Sequence, residues 1–226
     1  MAEQLTVPQA FALLQVESDG RKSTDVQTLD AGLAGAVLAD LALRGVVSLQ
    51  DGLVTVVNGA ATGDPVLDGV VGTIAATDKP RKAKWWISRL AKRPLRDDVF
   101  AGLISRGVIT LEQGKALGIF PTTKYPERDG GPETLLRSTI ADVLAQRSAP
   151  TPFAAAVIGL LDATNTLRKH FGKVDRALVK EITSGSWATP AVKAVLEEIQ
   201  MAAMMASVAA TTAATTAATT ATISSS

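Results

Sequence analysis

Residues 30–45 read DAGLAGAVLADLALRG. Leu33, Val37, Leu38 and Leu41 recur at helical spacing, Asp30 is placed to cap the first turn, and Gly45 stands where a helix ends. Gly32 and Gly35 lower the helix propensity, which marks a place where another element approaches closely. Upstream, Thr6 to Gln15 is apolar and breaks at Ser18-Asp19-Gly20. Downstream, Val46–Leu49 and Leu53–Val57 flank Asp51-Gly52, the dipeptide of a tight hairpin.

The same reading extends to the rest of the chain. Asp64-Pro65 opens a helix to about Ile74, Pro80 to Lys92 reads as a basic helix, and a further helix runs from Leu95 to Arg106 after Pro94. Val108–Thr110 and Ala116–Phe120 read as a second hairpin. Helices are expected near Glu133–Gln146, Pro152–His170, Val174–Thr183 and Pro190–Met205. The expected fold is mainly α: a single globular helical domain over residues 1–208 with two small β-hairpins. Residues 209–226, with Ala-Ala-Thr-Thr three times in succession, form a low-complexity Ala/Thr/Ser tail.

Composition narrows the function. At 226 residues, 46% hydrophobic and 20% charged, the chain can bury a sizeable core. With no cysteine and a single histidine, His170, it has no thiolate or multi-histidine metal site and no cysteine nucleophile, and no cofactor is expected. No nucleophile, base and orienter pattern emerges, so no enzyme activity is expected. No basic-then-apolar leader and no convincing membrane span is visible, so a cytoplasmic protein is expected. His170 itself reads as part of a cationic cluster at a helix end.

The 23 basic and 22 acidic residues nearly cancel, but eight basic residues and no acid lie between Lys79 and Arg96. A cationic patch on an acidic body attracts anionic partners. Nucleic acid is not expected, for want of a binding motif and of positive charge elsewhere. On a helix, Lys82, Trp85, Arg89 and Lys92 share an outer face, while Trp86, Ile87 and Leu90 share the adjoining core face. An aromatic among cations suits a membrane interface or a phosphate-bearing ligand. Arg93 and Arg96, three apart after the same segment, can converge on one phosphate. Thr62-Gly63-Asp64-Pro65 lacks the lysine of a phosphate loop and reads as a helix cap.

Residues 32–45, Thr62-Gly63-Asp64 followed by Leu67-Asp68, Trp86-Ile87, Leu103 with Gly107-Val108-Ile109, and Thr122-Thr123 occur in the order found in the Golgi phosphoprotein 3 (vacuolar protein sorting 74) family. Over about residues 8 to 208 the sequence resembles a bacterial member of that family. The resemblance implies a helical domain that binds phosphatidylinositol 4-phosphate peripherally. It also implies that Arg93 and Arg96 belong to the phosphate pocket, with Trp85 and Arg89 beside them. Two pocket positions depart from the family pattern: its helix arginine is Ala34 here, and its upstream tryptophan falls near Asp25. The family's apolar hairpin corresponds to Glu112–Thr123, with Leu117, Ile119 and Phe120 as candidate tip residues for a membrane or a homo-oligomer. The family's arginine-rich N-terminal arm has no counterpart here, so coat-protein binding is not expected.

The expected function is peripheral binding of anionic phospholipid headgroups on the inner membrane face, with phosphatidylinositol 4-phosphate the candidate ligand. The alternative is a protein-interaction adaptor whose basic face docks an acidic partner without lipid.

Overall fold

The computed structural model describes residues 5–116 and 120–185, and Glu197. Its centre is α2, Val26–Leu43, with α1, Val7–Leu14, packed along it. Both helices are apolar nearly all round and both are buried. At 18 residues α2 is long and apolar enough to cross a membrane, yet it is mostly enclosed by protein. It is a core helix.

Its boundaries differ from the expected ones. Asp25, not Asp30, caps α2, accepting from the Thr28 amide at 2.9 Å. Asp30 therefore lies inside the helix, where it is 8% exposed. The glycine expectation holds at Gly32, where an added Cβ would stand 2.3 Å from the ring of Phe11. That ring is fully buried and fills the space a side chain would occupy. A capping box opens α1: Thr6 accepts from the Gln9 amide and Gln9 from the Thr6 amide. Asp40 of α2 accepts from the next free amide, that of Val7, at 2.6 Å.

β1, Val47–Gln50, and β2, Leu53–Val56, form the first hairpin, with Asp51 and Gly52 both at positive φ. A third strand, β3, Arg81–Lys82, pairs with β2. The expected helix from Pro80 is thus strand first, and α4 runs only over Ala83–Leu90. Between them comes α3, Pro65–Ala75, capped by Asp64, which accepts from the amides of Val66 and Leu67. The next helix, α5, spans Arg93–Ser105, with Pro94 inside its first turn. The second hairpin is β4, Glu112–Ala116, with β5, Phe120–Lys124. Val108–Thr110 is not one of its strands; Ile109 makes a lone bridge to Glu127 instead.

The last described elements are α6 (Gly131–Leu144), α7 (Pro152–Ala163), α8 (Leu167–Phe171) and α9 (Arg176–Ser184). The single helix expected over Pro152–His170 is broken. The Thr164 and Thr166 hydroxyls donate back to the carbonyls of Leu160 and Leu161, and Asn165 turns the chain at φ 59°. The helix expected over Pro190–Met205, apart from Glu197, and the tail at 209–226 lie outside the described residues. Among the described residues the fold is one helical domain carrying two small antiparallel sheets.

Candidate functional site

The basic segment becomes a surface because α4 has two dissimilar faces. Trp86 and Ile87 are buried, and α4 packs on α2 through that side. Trp85, one residue away, is 40% exposed and meets Trp86 edge to face at 4.9 Å. The Arg81 guanidinium, delivered by β3, lies 5.3 Å from the centre of the Trp85 ring. Lys82, Arg89 and Lys92 are exposed around it. Among the described residues, Lys82, Arg89 and Lys92 form no ion pair. The face therefore combines an amphipathic ring with cations free to meet phosphate.

Arg93 and Arg96 both reach Asp97, at 3.0 and 3.9 Å, but they are unequally buried. Arg93, in the first turn of α5, is exposed and pairs with Asp97 at 3.0 Å. Arg96 is 8% exposed, and its Nη1 donates to both carboxylate oxygens of Asp30, at 2.7 and 2.8 Å. The expectation that both are exposed is corrected: Arg96 is buried and ties α5 to α2. The physical reason is Asp30, a full carboxylate at the helix interface that the arginine neutralises.

The sequence reading missed Lys22. It lies within electrostatic reach of Arg96, Asp30 and Asp97, and its ammonium is 5.8 Å from the centre of the Tyr125 ring. Burial, and then the charge of Arg96, lowers its pKa. Tyr125 in turn stacks on Phe100 at 4.1 Å. No local pattern reveals this group, because its members come from four separate segments. Trp85 and Arg89 are thus exposed together with Arg81 on the β3–α4 segment, and Arg93 is exposed at the start of α5.

Residues 7–199 match the family model of Golgi phosphoprotein 3 (GPP34). The chain belongs to the Golgi phosphoprotein 3 family. The resemblance seen in the sequence is thereby supported over most of the chain. In this GPP34 protein, the two positions at which the sequence departs from the expected pocket pattern have structural roles. Ala34 is fully buried in α2, and Asp25 is the cap of the same helix.

The Thr62-Gly63-Asp64 match is engaged in a local clamp. The Asp68 carboxylate accepts from the Thr62 amide at 2.7 Å and from its hydroxyl at 2.8 Å, which holds its pKa below the usual carboxylate range. Arg44 donates to the Thr62 carbonyl at 3.2 Å, so the clamp also joins α3 to the end of α2. In the second hairpin, Leu117 and Ile119 lie outside the described residues. Phe120 is placed only by its backbone, paired with Ala116.

His170 is not a cation at neutral pH. Burial pushes its imidazole down to about 4, helped by the neighbouring Arg137 and Lys169 and opposed by Glu17. The cationic cluster expected at this helix end therefore consists of Arg168 and Lys169. An unfolded histidine titrates near 6.5, so the unfolded chain takes up this proton first as pH falls. The stability held by neutral His170 is complete above about pH 6.5 and is lost as pH falls toward about 4. Urea titrations should show His170→Gln losing less stability than the unsubstituted protein between those limits. Parallel acid limbs for the two would refute the assignment.

Proposed function

We propose that this GPP34 protein is a non-enzymatic, peripheral binder of anionic phospholipid headgroups. Its β3–α4 face would lie against the membrane, on the cytoplasmic side of a bacterial cell. The single observation that carries the reading is Trp85, 40% exposed on a helix that buries its neighbour Trp86, with Arg81 over its ring. An indole at the surface gains from the interfacial zone of a bilayer, and cations around it gain from lipid phosphate. Phosphatidylinositol 4-phosphate is the candidate headgroup from the family resemblance. Arg81 and Arg89 are the exposed arginines nearest Trp85 along the chain, Arg93 follows at the start of α5, and Arg96 acts by holding α5 in place. The β4–β5 hairpin, with Leu117, Ile119 and Phe120, is proposed as a second membrane or self-association contact.

The test is flotation with vesicles of neutral, phosphatidylglycerol-containing and phosphatidylinositol 4-phosphate-containing composition. Binding should require acidic lipid and weaken steeply with salt, since screening acts over roughly 8 Å at physiological ionic strength. Trp85 emission should shift to the blue on the vesicles that bind. Salt-insensitive flotation, equal on neutral and acidic vesicles, would overturn the proposal. Failure to float on any vesicle would leave the alternative, a basic face that docks an acidic protein.

A further inference from the structure

A second cationic surface lies away from α4, at the turn from α7 through α8 into α9. Two residues in left-handed conformations shape it: Asn165 at φ 59° before α8, and Gly172 at φ 74° after it. Between them α8 lasts barely more than one turn, so the chain doubles back around a half-open cavity of about 570 Å³. Leu167, Val174 and Val179 supply an apolar wall, and Leu167 and Val179 are themselves almost fully buried. Arg168, Lys173 and Arg176 also line it.

The state of these three cations sets the cavity apart. Nearby basic side chains are neutralised: Arg137 pairs with Glu133, Arg147 with Asp142 at 2.6 Å, and Lys169 with Glu17 at 2.7 Å. Among the described residues, Arg168, Lys173 and Arg176 form no hydrogen-bonded ion pair. Two carboxylates share the cavity. Asp175 is engaged in capping α9, accepting from the Ala177 amide at 2.9 Å. Asp162 feels the charge of Arg176, and burial raises its pKa. The balance is three cations against two acids, one of them already occupied.

A concave site with an apolar wall and unpaired cations favours a ligand of matching build. We propose that this cavity is a binding site for an amphiphilic anion, a phosphate group carried on a compact apolar body. The guanidinium groups would take the phosphate and the Leu167–Val174–Val179 wall would take the apolar part. Such a ligand comes either as a soluble phosphomonoester or as the headgroup of a phosphatidate-type lipid. The site is independent of the α4 face, and neither proposal requires the other.

The test follows backbone amide signals of the full chain by NMR with three probes: inorganic phosphate, 1-naphthyl phosphate, and phosphatidate vesicles. 1-Naphthyl phosphate should shift the amides of Asn165, Lys173 and Val179 in a saturable way, at lower concentration than inorganic phosphate. Arg168→Gln with Arg176→Gln should weaken it about ten- to hundredfold, the loss of charge-assisted contacts. Arg81→Gln with Arg89→Gln should leave it unchanged. Both altered arginines of the cavity are exposed, and an unchanged melting temperature confirms that the variant folds. Selective, Arg168/Arg176-dependent broadening on phosphatidate vesicles would assign the lipid source; its absence, with naphthyl phosphate bound, would assign the soluble one. Equal, non-saturating shifts with both phosphates, or unchanged binding by the double variant, would overturn the site.

Discussion

Replacing Arg96 with alanine should lower the unfolding free energy by about 3–5 kcal/mol, the cost of removing one partner from a buried ion pair. The arginine and Asp30 are each nine-tenths covered, at 10% and 11% side-chain exposure, and they join helices 66 residues apart. Without the guanidinium, the carboxylate is left inside the α2–α5 interface with no cation of its own. Lys22 interacts with Asp30 electrostatically, but it is itself partly desolvated and forms no ion pair with that carboxylate. Arg96→Met combined with Asp30→Leu should recover most of the loss, because the charge is removed together with its partner. Urea unfolding of the two single variants and the double one gives the comparison. A loss under about 1 kcal/mol for Arg96→Ala would place the pair in the class of weak surface ion pairs and refute its structural role. This prediction also separates the two arginines, since Arg93→Ala should cost little: its side chain is 81% exposed.

The second large effect concerns membranes and follows from the proposed function. Neutralising Arg81, Lys82, Arg89 and Lys92 together, each as glutamine, removes four exposed cations from one face. Each basic residue near an anionic surface contributes on the order of 1 kcal/mol, so partitioning onto acidic vesicles should fall by roughly a thousandfold. The melting temperature should move little, because among the described residues these side chains form no ion pair. Trp85→Ala should reduce binding as well, with a smaller dependence on salt, since its contribution is burial of an aromatic surface rather than charge. Retention of binding within tenfold by the fourfold variant would remove the β3–α4 face from the interaction.

What was legible in the sequence is what local chemistry determines. The apolar spacing of Leu33 to Leu41, the Asp51-Gly52 turn and the Asp64-Pro65 helix start all lie within a few residues of the features they control, and all appear in the fold. The amphipathic division of α4, with Trp85 out and Trp86 in, was equally readable. The misreadings are tertiary. Asp30 is a reasonable cap until Arg96 arrives from α5 and Asp25 takes the capping position. Pro80 to Lys92 is helical in composition, but β2 offers Arg81 and Lys82 an edge to pair with. The α7–α8 break has no glycine or proline; the Thr-Asn-Thr run at 164–166 was its signal, through hydroxyls that compete for backbone carbonyls. The Lys22 group had no sequence signal, being assembled from segments far apart, whereas the cavity beside α8 is built within residues 162–179 and depends on how the chain turns at Asn165 and Gly172.

The polar anchoring of the first helix has a consequence for the order of events during synthesis. Gln15, fully buried at the end of α1, donates to the Thr166 hydroxyl, 151 residues later, and accepts from Ser23. Lys169 reaches back across the same junction to the Ser23 carbonyl at 2.7 Å. At ribosomal rates of about 5–20 residues per second, α1 waits roughly 8–30 s before the residues that complete its surroundings exist. In that interval its apolar faces can associate with α2, but the polar end at Gln15 must remain hydrated. Full burial of the N-terminal helix is therefore a late event on the ribosome, timed by the emergence of α8. Nascent chains stalled before residue 166 should remain open to protease near Gln15, and chains long enough to expose α8 should close it.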